Sequence, residues 1–245
     1  MPCADARRLL DAWDAGAAAG ASRRARVILR QLAPHLGQDR IGSLTAGERD
    51  RELLGIRHHL FGSELTACAP CRACGQRLEI ELDAGALLAT ERRPSGPSVT
   101  VRAAGDIVIV ARPPSVADLE LAAEAAHPGA AQSVILRRCI ESARRRDDLV
   151  AIENLPKAAL DELGTQLEAA DPDCHIELAA SCPSCRESSS YTFDIATFLW
   201  AEIEAEALRL LHDVHRLARG YGWRESDILV MSGVRRRAYL GMLPE

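Results

Sequence analysis

Apolar and polar residues alternate in two short stretches that lie far apart in the chain. The apolar members are Leu78, Ile80 and Leu82 in the first stretch and Tyr191 and Phe193 in the second. Such alternation predicts a strand with one buried face in each place. A strand-like segment precedes each stretch, at residues 64–67 and 175–179, and an aspartate follows each, Asp83 or Asp194. Because a carboxylate can cap the apolar, helix-like segment that comes next, we expect one strand–turn–strand–helix unit to occur twice.

The turn inside each unit carries two cysteines separated by two residues. The pairs are Cys71 with Cys74 and Cys182 with Cys185. This spacing lets both sulfurs of a pair face one point, and two pairs supply the four ligands of a tetrahedral zinc site. We therefore predict that the two units fold onto one structural Zn²⁺.

Other interpretations of these cysteines stay open at this point. The turns could have lost their metal, or Cys182 and Cys185 could form a redox pair. Cys68 is spaced for a pair with Cys71, so it could replace Cys71 or Cys74 as a ligand. The second turn also departs from the first, since Arg186 stands where the first turn has Gly75.

Apolar residues at helical spacing predict helices over most of the remaining chain. Residues 5–33 read as helical, with Gly16 and Gly20 weakening the middle and Ser22 able to cap a second helix. Thr45 with Glu48 has the form of a capping box that starts a helix ending at Phe61. Between the two cysteine units we expect a turn-rich joint at 92–97 and an inserted mixed segment. That segment is predicted to hold a hairpin (99–102 and 107–111) and helices at 116–126, 130–146 and from Pro156 to the stop at Asp171.

These elements predict an α+β fold that is mostly helical. We expect five parts, namely N-terminal helices (1–62), the first zinc-knuckle half (63–90), the inserted subdomain (91–173), the second half (174–194), and a long helix with a short helical tail (195–245).

The last part contains the clearest helix. Its apolar stripe starts at Ile195 and continues for more than six turns, with Asp194 as the cap at its start and Gly220 at its end. The stripe is wide enough to cover the chain's own core, a partner, or both. Because aromatic residues tend to dominate interface energetics, the candidate partner-binding residues are Trp200, Trp223 and Tyr239.

Composition and charge limit the function classes. The chain has 245 residues, 47% of them apolar, and a net charge of −5, so it is not drawn electrostatically to nucleic acid or to an anionic membrane. Eight cysteines arranged partly as CxxC pairs suit a reducing compartment. The sequence shows no phosphate-binding loop, nucleophile elbow or HExxH motif, and no signal peptide or membrane span. We therefore expect neither an enzyme nor a small-molecule substrate.

Several segments resemble a known family. They are residues 193–203, 210–218 and 221–229, together with Arg235, Arg236, Tyr239 and Leu240, the first cysteine turn and the Leu60–Phe61–Gly62 run before it. Over roughly residues 50–245, and most densely after Cys174, the chain resembles baseplate hub assembly proteins of T-even-like contractile-tailed phages and related proteins of phage-like contractile injection systems.

The resemblance implies a structural or chaperone-like assembly role at a baseplate, through contacts with other baseplate or tail proteins. It also implies a cytoplasmic location during assembly, with retention in the virion or injection particle left open. The alternative is a zinc-ribbon nucleic-acid-binding regulator. For that alternative, the basic run Arg235–Arg237 in a helix pair would be the contact.

Overall fold

The structure is a computed structural model that describes residues 3–89, 96 and 98–244. The predicted joint at 92–97 lies outside the described residues, apart from Gly96. The helices are α1 (Cys3–Ala17), α2 (Ala21–Leu32), α3 (Gln38–Ser43), α4 (Ala46–Phe61), α5 (Ala84–Ala89), α6 (Val116–Ala123), α7 (Pro128–Cys139), α8 (Lys157–Ala170), α9 (Ile195–Tyr221), α10 (Glu225–Leu229) and α11 (Gly233–Leu240). No helix in this part of the chain is both long enough and apolar enough to cross a bilayer.

The strands form three antiparallel sheets within the described residues. They are β1 (Glu64–Pro70), β2 (Arg77–Asp83), β3 (Val99–Ala103), β4 (Ile107–Ala111), β5 (Ile140–Arg145), β6 (Asp148–Leu149), β7 (Ile176–Ser181) and β8 (Ser188–Phe193). Two of the sheets are the hairpins β1–β2 and β7–β8, and the third has the order β3–β4–β5–β6. The predicted α+β class, mostly helical with small antiparallel sheets, is thus confirmed.

One core joins the two ends of the chain. It includes Leu9 and Ile28 from the N-terminal helices, Leu65 and Leu178 from the two hairpins, and Leu199 from α9. The apolar stripe of α9 therefore packs against the chain's own helices, although Leu208 on the same helix stays exposed. This single core takes side chains from four of the five predicted parts. They are the described residues of 1–62, 63–90, 174–194 and 195–245.

Trp200 lies in this core and explains the close crossing of α1 and α9. Its side chain is only 4% exposed, and its ring fills the space where a Cβ on Gly16 would lie 2.2 Å from Cζ3. Glycine at position 16 is therefore required by the packing of the indole ring. The prediction of Trp200 as a partner-binding anchor is corrected here, because a buried ring offers no surface to a partner.

The inserted segment has a second core of its own. Val101 and Ile109 on the inner face of the four-stranded sheet pack against Ala159 and Leu163 of α8. The hairpin and the helix after Pro156 are found as predicted. Asp171, at the end of α8, is buried and ties the insertion to α4 by accepting hydrogen bonds from the Thr45 hydroxyl (2.9 Å) and the Gly47 N–H (2.8 Å).

The prediction of a single helix at 130–146 is wrong. Helix α7 ends at Cys139, and the chain continues as strand β5, whose Ala143 pairs with Ile109 of β4 and is buried in the second core. This segment becomes a strand because its backbone pairs with the free edge of β4, about thirty positions earlier in the chain. Local helical spacing does not reveal such a distant contact. The basic residues Arg144 and Arg145 therefore lie on a strand and not at a helix end.

Smaller differences concern the ends of helices. The second helix within residues 5–33, α2, starts at Ala21 with Gly20 in the cap position, so Ser22 is not its cap. The long helix ends at Tyr221, one residue beyond Gly220, and its cap is Gly222 in the left-handed conformation (φ 69°). The capping box at Thr45 and the Asp194 cap lie where the sequence predicts them, because these signals depend on neighbouring residues alone.

Candidate metal centre

The two cysteine turns have the same backbone structure. In each turn the N–H of the first cysteine donates to the carbonyl five residues later, and its own carbonyl accepts from the N–H four residues later. The bonds are Cys71 N–H to Gln76 (2.8 Å), Gly75 N–H to Cys71 (2.9 Å), Cys182 N–H to Glu187 (2.8 Å) and Arg186 N–H to Cys182 (2.9 Å). The paired strands close on these turns at Pro70 with Arg77 and at Ser181 with Ser188. The unit predicted to occur twice is therefore present twice.

The residue after the second cysteine is left-handed in both turns. Gly75 has φ 74°, and Arg186 has φ 61° at the matching position. A side chain in this conformation costs about 1 kcal/mol or more, because the Cβ crowds the carbonyl oxygen that follows. The second turn thus keeps the geometry of the first without the glycine that favours it.

The aspartates that follow the hairpins act as helix caps in both units. Asp83 accepts a hydrogen bond from the Ala86 N–H (2.8 Å) at the start of α5. Asp194 accepts from the N–H groups of Ala196 (3.0 Å) and Thr197 (3.2 Å) at the start of α9. Each cap fixes the direction of its hairpin relative to the helix that follows. Because α5 and α9 pack in the same core, both cysteine turns are held by that core.

The four predicted ligands converge on one point. The Sγ atoms of Cys71, Cys74, Cys182 and Cys185 all lie within 4.8 Å of one another. Two of the distances, Cys71 to Cys185 and Cys74 to Cys182, are 3.6 Å. A tetrahedron of sulfurs with metal–sulfur bonds of about 2.3 Å has edges of roughly 3.8 Å. The cluster therefore has about the size of a site in which four thiolates surround one metal ion, and two of its sulfurs come from each half of the chain.

Charge within the cluster also fits a cation at its centre. Backbone N–H groups of Cys185 and Ser184 lower the pKa of Cys182, against the effect of burial, to about 6. The Glu187 N–H lowers the pKa of Cys185, but the neighbouring Cys74 sulfur, burial and the other cysteines raise it to about 12. Sulfurs packed this closely cannot all be thiolates unless positive charge lies between them. A bound metal ion would supply that charge and would make all four thiolates available as ligands.

Contacts around the sulfurs join the two hairpins directly. The Tyr191 hydroxyl of β8 donates to the Pro70 carbonyl of β1 (3.1 Å). The Arg72 guanidinium lies 5.4 Å from the centre of the Tyr191 ring. Leu78 is buried beside the ring with Cys71 and Cys182, whereas Cys74 and Cys185 are exposed. The centre is therefore half-buried, with one sulfur of each pair facing solvent.

Cys68 lies outside this cluster. It is exposed on β1, opposite Glu79, and its sulfur accepts a hydrogen bond from Arg77 Nη2 (3.1 Å). The alternative pairing of Cys68 with Cys71 is thus resolved in favour of Cys71 and Cys74. A CxxC spacing alone cannot distinguish the two, because the hairpin register decides which cysteine reaches the turn.

The other two candidate partner-binding residues lie in the tail. Trp223 stacks on Tyr221 with ring centres 4.5 Å apart, and Tyr239 meets the Trp223 ring edge-on at 4.8 Å. Both are partly exposed. The basic run beside them is divided, because Arg236 is 4% exposed and donates to the Met231 carbonyl (2.9 Å) while Arg235 and Arg237 face solvent.

The fold and the site together define a class of protein. Two hairpins from distant parts of one chain bring together four cysteines that could hold a metal ion, and four protein ligands are typical of structural metal sites. The chain belongs to the T4 bacteriophage base plate protein family, whose sequence model matches residues 21–200. Comparison with curated proteins and with solved structures gives no significant match.

Family membership confirms the resemblance to phage baseplate proteins and indicates a structural baseplate component. The matched residues begin in α2, earlier than the resemblance does, and end in the first turns of α9. They include both cysteine turns, whereas the tail lies beyond the matched span.

Proposed function

We propose that this protein is a non-enzymatic structural or assembly component of a contractile phage-type baseplate hub, and that one structural Zn²⁺ stabilises it. Membership in the base plate family supports the baseplate role. The proposal of a structural zinc rests on one observation. The sulfurs of four cysteines lie within 4.8 Å of one another, namely those of Cys71, Cys74, Cys182 and Cys185. A metal at this point holds together two hairpins that the inserted subdomain separates in sequence.

The metal serves the framework and not a reaction. Its ligands come from β-hairpins whose capping aspartates begin α5 and α9, so a bound ion fixes the start of the longest helix relative to the N-terminal helices. Zinc binding to such turns contributes directly to folding, because the unfolded chain does not hold its cysteines together. A rigid frame of this kind suits a protein that acts through contacts with other proteins.

Native mass spectrometry of the full chain tests the metal. We expect one Zn²⁺ per chain, and we expect the exposed ligand variants Cys74→Ser and Cys185→Ser to reduce zinc retention in competition with a chelator. The control is Cys68→Ser, which removes an exposed cysteine three residues from a ligand and should retain zinc like the parent chain. A metal-free chain, or equal loss in the control, would contradict the proposed site.

The baseplate role is tested in cells that produce the particle. Deletion of the gene should leave particles without a complete baseplate in electron micrographs, and the intact gene should restore complete baseplates.

We propose that contacts form through the tail around Trp223 and Tyr239, in the cytoplasm during assembly. Mass spectrometry of purified particles then separates a retained component, present at a fixed copy number, from a chaperone that leaves. Normal particles from the deletion strain would refute the role.

A further inference from the structure

The tail helix α11 has a buried face that is fixed to the rest of the protein. On this face, Arg236 donates to the Met231 carbonyl, and Tyr239 packs against the rings of Trp223 and Tyr221, with ring centres 4.8 and 5.8 Å apart. The Tyr221 hydroxyl at the end of α9 also donates to the Tyr239 carbonyl (3.2 Å). The aromatic residues therefore hold α11 in one orientation against α9.

The opposite face of α11 exposes an apolar stripe. Val234, Ala238 and Met242 are four residues apart and share one side of the helix and its continuation. Val234 and Met242 are each 71% exposed, and so is Val230 in the turn before the helix. Large apolar side chains this exposed are a feature of interaction sites when they gather in one place.

Basic residues lie on both sides of this stripe. At about 100° per residue, Arg235 and Arg237 fall on opposite flanks of the line through Val234 and Ala238. Both are exposed, and Arg235 also lies over the Tyr239 ring at 5.8 Å. In the part of the chain that the structure describes, neither guanidinium forms an ion pair with a carboxylate. We call Val234, Arg235, Arg237, Ala238 and Met242 the tail face.

The charge of this region is opposite to that of the whole protein. Residues 216–244 hold six arginines and two carboxylates, a net charge of +4, whereas the chain carries −5. An acidic protein with a local basic surface attracts an acidic partner there and repels it elsewhere. The apolar stripe between the arginines favours a protein over nucleic acid, because phosphates would leave Val234, Ala238 and Met242 without contacts.

We propose that the tail face docks an acidic amphipathic helix of another protein. Apolar residues of that helix would pack on Val234, Ala238 and Met242, and carboxylates on its two flanks would pair with Arg235 and Arg237. That the partner is a baseplate protein rests on the proposed function. Trp223 and Tyr239 then act as positioning residues that orient α11, while the tail face makes the contact.

A photoreactive residue tests the contact. Benzoylphenylalanine replaces Ala238 at the centre of the stripe in the full chain, and the particle-producing cells are irradiated during assembly. The matched control places the same residue at Leu149, which is 74% exposed on β6. We expect an adduct from position 238 and none to the same segment from position 149. The cross-linked peptide should show apolar residues spaced three and four apart with Asp or Glu on both sides.

Charge exchange then tests the pairing. The double variant Arg235→Glu with Arg237→Glu should weaken the complex by about tenfold or more. Its helix content should be unchanged, and its melting temperature should fall by no more than about 2 °C through the lost contact of Arg235 with the Tyr239 ring. Replacing the partner's facing carboxylates by lysine should restore binding to this variant and weaken binding to the parent chain. Rescue of this kind requires direct pairing and is not expected from a merely structural effect of the substitutions.

Four results would overturn the inference. They are an adduct with a second copy of this chain, an adduct with nucleic acid, a cross-linked segment without carboxylates, and no adduct from position 238. If the protein is nevertheless required for complete baseplates, the proposed function stands and only the tail face is rejected. If the adduct has the expected composition but deletion leaves baseplates normal, the docking stands and the baseplate role fails.

Discussion

Asp118 is a buried charge whose removal we expect to be among the most damaging single changes in the inserted subdomain. Its carboxylate is inaccessible to solvent and accepts hydrogen bonds from Arg112 Nη1 (2.7 Å), Arg138 Nε, the Ser115 N–H (2.9 Å) and the Ser115 hydroxyl (2.8 Å). These donors join the start of α6, the end of β4 and the last turn of α7. One side chain thus fixes three elements.

The expected cost of Asp118→Ala is about 3 kcal/mol. Breaking a buried ion pair from one side usually costs about 3–5 kcal/mol, since a charge is left without its partner. Both arginines reach solvent in part, with side chains 33% and 46% exposed, so water compensates some of that loss and places the value at the lower end. The matched control is Glu153→Ala, which removes an exposed pair with Arg137 in the same subdomain and should cost no more than about 0.5 kcal/mol.

Urea denaturation of the full chain measures both values, with the slope of each transition fitted separately and compared with that of the parent protein. Equal destabilisation by Asp118→Ala and Glu153→Ala would refute the reasoning, because burial and the number of donors would then have no effect. A decrease in the slope of the free energy of unfolding against urea concentration, with an unchanged midpoint, would instead indicate a changed denatured state.

The same carboxylate predicts a pH dependence. Burial tends to raise the pKa of Asp118, but the hydrogen bonds from Arg112, Arg138 and Ser115 outweigh it and hold this pKa well below its ordinary value of 3.8. Because the folded-state pKa is depressed, the stabilisation is complete above the unfolded pKa and is lost as the pH falls below it. The stability difference between the parent chain and Asp118→Asn should therefore be constant from pH 5 to 8 and shrink below about pH 4. A difference that grows on acidification would contradict this sign.

Four further substitutions test particular contacts and backbone positions. Arg186→Gly should raise the melting temperature by about 2–4 °C, and Gly75→Ala should lower it by a similar amount, because the backbone is left-handed at both positions. Scanning calorimetry measures both changes, and shifts of the same sign in the two variants would contradict this explanation. Asp171→Ala removes two hydrogen bonds to the first turn of α4 and should cost about 2 kcal/mol, with faster hydrogen exchange in that turn; unchanged exchange would argue against this cap. Arg57→Lys loses the two-point contact with Glu202 (3.0 and 2.9 Å) and should cost about 2 kcal/mol, and a double-mutant cycle with Glu202→Gln should recover most of it as coupling.

Local signals in the sequence determined several elements of this protein without any tertiary information. The capping box at Thr45, the caps at Asp83 and Asp194 and the alternating strands around both CxxC turns lie where neighbouring residues predict them. The reason is that a cap or a hairpin depends on residues only a few positions apart. The repetition of one such unit was also enough to predict the four ligands that converge in the structure.

Only the tertiary structure decided the features that depend on distant residues. It made β5 a strand by pairing it with β4, buried Trp200 against Gly16, and placed Arg138 of α7 against Asp118 of α6. In each case the deciding contact joins segments whose separation no local pattern encodes. Periodicity therefore predicts which residues are apolar or capping, and packing decides which of them meet.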